Sequence, residues 1–372
     1  MPTSTRRTAV ALGATALAVL LAACGSAKQA GGGPGARQRP GPGDVLRVGL
    51  LLPENQTARY EKFDRPLIER HLAELTNGTA RVTYANAKQD AAVQTQQVDS
   101  MITNRVHVLI LDAVDSRAVA GAVRRAEEAG VPVVAYDRLA EGPVDAHTSF
   151  DNEEVGRVQA RALLTALGDR AGAGEVVMVN GSATDPNAAL FKAGAHAVLD
   201  GRVRVGREFD TKEWKPENAH SHMESALTAL GKERVIGVYA ANDGMAGGVI
   251  QALKTAGVSP LPPVTGQDAE LAAVQRIVAG EQYMSVYKPY GPGARAAAAL
   301  AVALARGEPA TSVTRVTVDS ATTEDVPAVL VPVVALTRDN LAETVLADGV
   351  HSRAEICTPR YAAACDRLGL RG

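Results

Sequence analysis

Short apolar runs in this sequence end repeatedly on charged or amide side chains. Asp137 and Arg138 follow the run ending at Tyr136, Asn242 and Asp243 follow that ending at Ala240, Gln267 and Asp268 follow Thr265, and Lys288 follows Tyr287. In an open parallel sheet the ligand lies beyond the carboxyl ends of the strands, so these are positions from which side chains reach it. Carboxylates accept hydrogen bonds, guanidinium and ammonium groups donate them, and carboxamides do both, a mixture suited to a ligand bearing many hydroxyls. Trp214 is the single tryptophan, set in the polar stretch Lys212-Glu213-Trp214-Lys215-Pro216 ahead of a helix start at Pro216. Its ring could cover the C–H face of a sugar, or it could pack in a core as tryptophans commonly do.

Other chemistries fit less well. A glycosidase needs two carboxylates about 5 to 10 Å apart, and Asp137 with Asp268 could be such a pair. Cationic neighbours in the same set would hold both ionised, which suits acceptors, whereas a general acid needs a raised pKa. There is no Gly-x-Ser-x-Gly elbow and no Gly-x4-Gly-Lys phosphate loop. The glycine-rich run at 31–35 precedes any expected strand, so it is no dinucleotide turn. His220 and His222, two apart on an expected helix, cannot share a face. The expectation is a binding protein and not an enzyme, without cofactor or metal.

The elements that would position these groups alternate in βαβ rhythm. Strands are expected over 46–52, 80–84, 106–111, 131–136, 175–179, 203–209, 235–240, 263–266 and 282–287. Helices are expected over 59–75, 91–103, 116–129, 153–167 and 244–256. Near-continuous apolar strands such as 108–111 suit parallel sheets covered on both faces. The fold class expected is therefore α/β, as two doubly wound lobes of ordinary size. Asp151 as an N-cap with Glu154 at the reciprocal position marks a lobe boundary. Residues 45–152 with 288–317 are assigned to an amino-terminal lobe, and 153–287 with 318–372 to a carboxyl-terminal lobe and tail.

The ends carry their own signals. Arg6 and Arg7, an apolar stretch from Ala9 to Leu21 and small residues before Cys24 have the layout of a secretion signal. Leu21-Ala22-Ala23-Cys24 reads as a bacterial lipobox, in which Cys24 becomes the lipidated amino terminus, a stable anchor when more than one acyl chain is attached. The alternative is an ordinary signal peptide cleaved beside a cysteine. Residues 25–44 are mostly Gly, Pro, Ala, Gln and Arg with little to bury, a flexible tether. A net charge of −2 without a basic stripe argues against nucleic acid. Cys357 and Cys365 lie where thiols can oxidise, and a disulfide there would stabilise by about 2 to 3 kcal/mol. The rival, a metal pair, lacks a nearby His or Cys to complete four ligands.

Taken in order, Tyr136-Asp137-Arg138, Ser149-Phe150-Asp151-Asn152, Asp185-Pro186-Asn187-Ala188, Trp214-Lys215-Pro216-Glu217-Asn218, Asn242-Asp243, Gly266-Gln267-Asp268 and Val286-Tyr287-Lys288-Pro289 resemble the D-xylose type of periplasmic sugar-binding family over nearly all of the mature chain. The resemblance implies a type I periplasmic binding protein, with two lobes joined by a three-stranded hinge and a cleft closing on one monosaccharide, D-xylose or similar. It places sugar contacts on Arg59, Asp137, Arg138, Asn187, Lys192, Trp214, Asn242, Asp268 and Lys288. Lys192 stands where the family has Arg, Pro53-Glu54-Asn55-Gln56 replaces an acidic pair, and Tyr60 replaces a Trp. The implied partners are an ABC permease and the lipid anchor at the cell membrane, with the chain a monomer outside the cytoplasm. A sensor delivering the closed state to a membrane kinase or chemoreceptor is the alternative. The repressors that share such lobes carry a helix-turn-helix where this chain has an export signal.

Overall fold

The computed structural model describes residues 39–370 apart from Pro42. The expected signal, Cys24 and the tether up to residue 38 lie outside the described residues. Among the described residues, no helix is long and apolar enough to cross a membrane.

The chain begins with β1 (Leu46–Leu52), α1 (Arg65–Leu75), β2 (Ala80–Asn86), α2 (Ala91–Thr103), β3 (Val108–Leu111), α3 (Ala120–Glu128), β4 (Val133–Tyr136) and β5 (Ala146–Phe150). Strands β3, β4 and β5 are buried along their whole length, as parallel strands covered on both faces must be. One side of this sheet packs Ile68 and Leu72 of α1, the other Val98 and Met101 of α2 with Val119, Ala122 and Val123 at and beside the start of α3.

The chain then crosses to a second sheet. Its elements are α4 (Asn152–Leu167), β6 (Glu175–Asn180), α5 (Pro186–Leu199), β7 (Arg204–Asp210), α6 (Pro216–Leu230), β8 (Val235–Ala240), α7 (Asp243–Thr255), α8 (Leu271–Ala279) and β9 (Ser285–Tyr287). Helices α4 and α5 press together at two glycines. A Cβ on Gly156 would stand 2.0 Å from the Phe191 carbonyl, and one on Gly194 would stand 2.0 Å from the Glu153 carbonyl. That close approach fixes the first turn of α5, which carries Asp185 and Asn187.

A return crossing leads to α9 (Tyr290–Arg306), β10 (Val316–Val318) and β11 (Val326–Val331), and a third leads to β12 (Val334–Leu336), α10 (Arg353–Ile356) and α11 (Ala362–Arg367). The first sheet has the order β10-β11-β5-β4-β3-β1-β2 and the second β7-β6-β8, with β9 and β12 forming their own pair. All pairings in the first sheet are parallel except β10 with β11. The chain therefore passes three times between the sheets, after β5, β9 and β11.

Three expectations differ in detail. Residues 318–372 were assigned as a whole to the second lobe, yet β11 pairs in parallel with β5 in the first sheet. That pairing is what makes the third crossing. The strand expected over 263–266 is a single bridge, Val264 with Val238, although the segment hydrogen-bonds to both neighbours. The helix expected over 59–75 opens with a π turn, Tyr60–Asp64, before α1. Cys357 and Cys365 are joined by a disulfide, their Cα atoms 5.9 Å apart, and Cys365 packs with Ile356 and Leu370 against α8.

Candidate functional site

The carboxyl ends of the strands converge on a cavity lined by Thr57, Arg59, Tyr60, Asp137, Arg138, Asp185, Asn187, Phe191, Trp214, Asn242, Gln267, Asp268 and Lys288. On the side of the first sheet, the loop after β1 is held from within. Glu54 is fully buried, its carboxylate accepting from the backbone amides of Gln56 and Thr57 (the latter at 3.0 Å) and its carbonyl accepting from Asn86.

Arg59 emerges from that loop. Its Nε donates to Asp64 Oδ2 at 2.8 Å, and its Nη1 lies 3.3 Å from Asp137 and 3.9 Å from Asp268. The guanidinium sits over the rings of Tyr60, Phe150 and Tyr290 at 5.1, 5.4 and 5.1 Å, the arrangement a planar cation favours. Behind it, Asp64 also accepts from the Tyr136 hydroxyl at 2.8 Å.

Asp137 follows β4 with a φ of 56°. A non-glycine residue in this region stores roughly 1 to 3 kcal/mol of strain and persists where its surroundings fix it. Here the fixing is visible: the Asp137 carbonyl accepts from Ser149 Oγ at 2.7 Å and Asn187 Nδ2 at 3.1 Å, and the carboxylate accepts from Tyr60 at 3.1 Å. Burial alone would raise this carboxyl, but Arg59, Lys288 and Arg138 outweigh it and hold the pKa below its ordinary value. Arg138 donates to the Ala113 carbonyl at 3.0 Å and pairs with Asp185 at 2.9 Å.

On the side of the second sheet, helix starts supply the groups. Asp185 caps α5, and its other oxygen accepts from Trp214 Nε1 at 3.2 Å. Asn187 accepts from Asn152 at 2.8 Å, and Asn242 caps α7 through Met245 N at 2.9 Å. Trp214 lines the cavity while packing edge-on to Phe191 in the core of the second lobe. It has room because residue 181 is glycine: a Cβ there would lie 2.0 Å from the indole. Asp268 pairs with Lys288 at 3.2 Å, and the lysine sits over Phe150 and Phe191.

The structure thus brings together eight of the nine expected residues; Lys192 stands apart. It is partly exposed and its Nζ is held by Glu208 at 2.7 Å and Asp210 at 3.4 Å, so the structure places it outside the lining. Helix geometry gives the reason. Asn187 and Phe191 are four apart and share a face of α5, which turns Lys192 to the flank. The same periodicity could have found Phe191. Thr57, Tyr60 and Asp185 were also missed, though Asp185 adjoins an expected position, and Gln267, named among the polar strand-end residues, joins the lining.

Two properties define the chemistry. The lining carries three carboxylates (Asp137, Asp185, Asp268) against three cations (Arg59, Arg138, Lys288), a balance suited to a neutral ligand rather than an ion. Among the described residues two buried polar atoms of the lining, Arg59 Nη2 and Gln267 Oε1, have no hydrogen-bond partner, while Arg138 Nε and Asp268 Oδ1 are met only by their ion pairs with Asp185 and Lys288. Buried polar atoms are paired in nearly all native proteins, so the first two are donor and acceptor positions for a ligand. The free volume is about 20 Å³, room for about one water with the lobes as they stand. Among the described residues no cluster of His, Cys, Asp and Glu could hold a metal ion.

Comparison with known proteins agrees with this architecture. The model of the periplasmic binding protein domain matches residues 48–309. The D-xylose-binding periplasmic protein of Escherichia coli is 35% identical over 317 residues, covering 84% of this chain and 92% of that protein. A multiple sugar-binding periplasmic protein of Azospirillum brasilense is 31% identical over 84% of this chain and 91% of its own length. Among solved structures, a carbohydrate transporter solute-binding protein from Chloroflexus aurantiacus in complex with D-glucose superimposes with a TM-score of 0.75 at 29% identity, covering 83% of this chain and 98% of that one. The chain belongs to the periplasmic binding protein family, in the type I sugar-binding branch that the D-xylose-binding proteins represent.

Proposed function

We propose that this chain is the lipid-anchored substrate-binding protein of an ABC sugar importer, taking one monosaccharide, D-xylose or similar, between its two lobes. The observation that carries the reading is the charge-balanced cavity with partnerless buried donor and acceptor atoms. Arg59, Arg138 and Lys288 donate to ring and hydroxyl oxygens, Asp137 and Asp268 accept from hydroxyls, Asn187 and Asn242 do either, and Trp214 covers an apolar face of the ring. A sugar touching both walls favours the closed arrangement by its differential affinity, and closure presents one surface to a permease. Wrong sugars are rejected because they leave some of these groups unpaired, a larger penalty than a missing methylene.

A thermal-shift screen over pentoses and hexoses, followed by calorimetry, tests the reading. Saturable one-to-one binding of a monosaccharide supports it, and the absence of binding by any of them sinks it. The proposed anchor is tested separately: Cys24→Ala should move the protein from the membrane fraction to the soluble one with sugar affinity unchanged.

A further inference from the structure

The turn that carries Asp268 is pinned from several directions, and one pin comes from far outside the cleft. Asp268 and Ala269 have φ angles of 92° and 48°, two successive non-glycine residues in a region such residues avoid. The amide of Asp268 donates to the Val286 carbonyl at 2.9 Å, that of Ala269 to Ser285 Oγ at 3.0 Å, and that of Glu270 to Asp243 Oδ2 at 2.9 Å. The Asp268 carbonyl accepts from the Tyr290 hydroxyl. The remaining group, the Ala269 carbonyl, accepts from Nε2 of His351 at 2.7 Å across 82 residues of sequence.

His351 is only 2% exposed. A carbonyl can only accept, so Nε2 carries the proton, and Nδ1 is buried without a partner. Burial lowers the imidazole's pKa, which keeps the ring neutral. The ring meets Phe63 edge-on at 6.0 Å, and Phe63 stacks on Tyr290 at 5.2 Å. The segment around it is closed on itself by the Cys357–Cys365 disulfide and tied to the second lobe by Ile356 packed against α8 and by Gln275 donating to the Glu355 carbonyl at 2.8 Å.

We infer that His351 is a positioning residue for ligand binding, holding the Ala269 carbonyl so that the Asp268 carboxylate stays turned toward Lys288 and Arg59. The inference rests on the cleft being the sugar site. It makes the carboxyl-terminal tail part of the binding apparatus, although no tail residue lines the cavity.

The test compares His351→Gln, whose amide nitrogen reaches as far as Nε2, with His351→Asn, which stops short, and His351→Leu, which only fills space. Calorimetry with D-xylose and with D-glucose is paired with a thermal melt of each variant. The expected result is Gln within about twofold of the parent and Asn and Leu about three- to tenfold weaker, the worth of one buried hydrogen bond. The Asn variant, which leaves the buried Ala269 carbonyl unpaired, should also melt below the Gln variant, so affinities are compared at a temperature where both are folded. Asn and Leu variants with parental affinity, or Gln and Asn variants equally weakened, overturn the inference. Should the Leu variant fail to fold, the Gln and Asn pair decides alone. A parent that binds no pentose or hexose overturns the binding reading itself, whereas a binding parent with unchanged variants overturns only the role of His351.

Discussion

The wall of the cleft contributed by the first lobe concentrates its charge on braced side chains, whereas the wall from the second lobe is largely amides and one indole. Arg59 is clamped by Asp64, Asp137 and three aromatic rings, and Arg138 by the Ala113 carbonyl and, across the cleft, by Asp185. Opposite them stand Asn187, Trp214, Asn242 and Gln267, with Asp185 and Asp268 the charged exceptions, the latter on its strained turn. A ligand meeting the first wall finds its donors already oriented and loses little in ordering them. The second wall works by fit, since an amide or a ring rewards correct placement and a misplaced hydroxyl leaves it unpaired.

The contrast breaks most visibly at Arg59. Removing this guanidinium leaves Asp64 and Asp137 buried beside a vanished partner, a loss of roughly 3 to 5 kcal/mol for a buried pair. Arg59→Ala should therefore lower stability by that order, read by urea denaturation, and abolish sugar binding in calorimetry. Burial already raises the Asp64 carboxyl against the pull of Arg59, so the variant should recover part of its stability by protonating Asp64 as pH falls. A variant as stable as the parent at neutral pH would mean that the first wall is not braced in this way.

The second wall should respond differently. In Gly181→Ala the new methyl would stand 2.0 Å from the Trp214 ring, and overpacking of this kind costs about 1 to 3 kcal/mol. The indole would yield toward the cavity or lose its bond to Asp185, so the larger effect should fall on affinity, roughly tenfold or more for a shift of about 1.4 kcal/mol in binding. Denaturation and calorimetry on one preparation separate the two effects. A stability loss matching that of Arg59→Ala, with affinity retained, would erase the contrast between the walls.

How much of this was legible beforehand follows from what is local. The βαβ rhythm could be read because each strand is an apolar run bounded by polar punctuation, and the polar residues directly after the runs, Asp137, Arg138, Asn242, Gln267, Asp268 and Lys288, line the cavity, whereas Asp243 is turned behind it to accept from Glu270 N and Ser285 Oγ. Membership of β11 in the first sheet could not be read, since it depends on pairing with β5, more than 170 residues earlier. Tyr60, in the π turn, sits where nothing in its immediate neighbours distinguishes a cavity face from a core face, whereas Phe191, on α5, was open to reading only through its four-residue spacing from Asn187. The strained backbone at Asp137, Trp214 and Asp268 was equally invisible, because no glycine or asparagine stands there to announce a left-handed turn.

Lys192 gives the smallest expected effect and the sharpest check on where the second wall ends. Its ammonium is engaged by Glu208 and Asp210 at the flank of α5, partly in solvent, and exposed pairs of this kind contribute about 0 to 1 kcal/mol. Lys192→Ala should leave sugar affinity unchanged in calorimetry and shift stability by no more than that. A large fall in affinity would place the lysine in the site after all, by requiring α5 to turn as the cleft closes on its ligand. Lys192→Arg distinguishes the cases further. A planar fork reaching the sugar would tighten binding, whereas a flank residue exchanged between two carboxylates leaves it as it was.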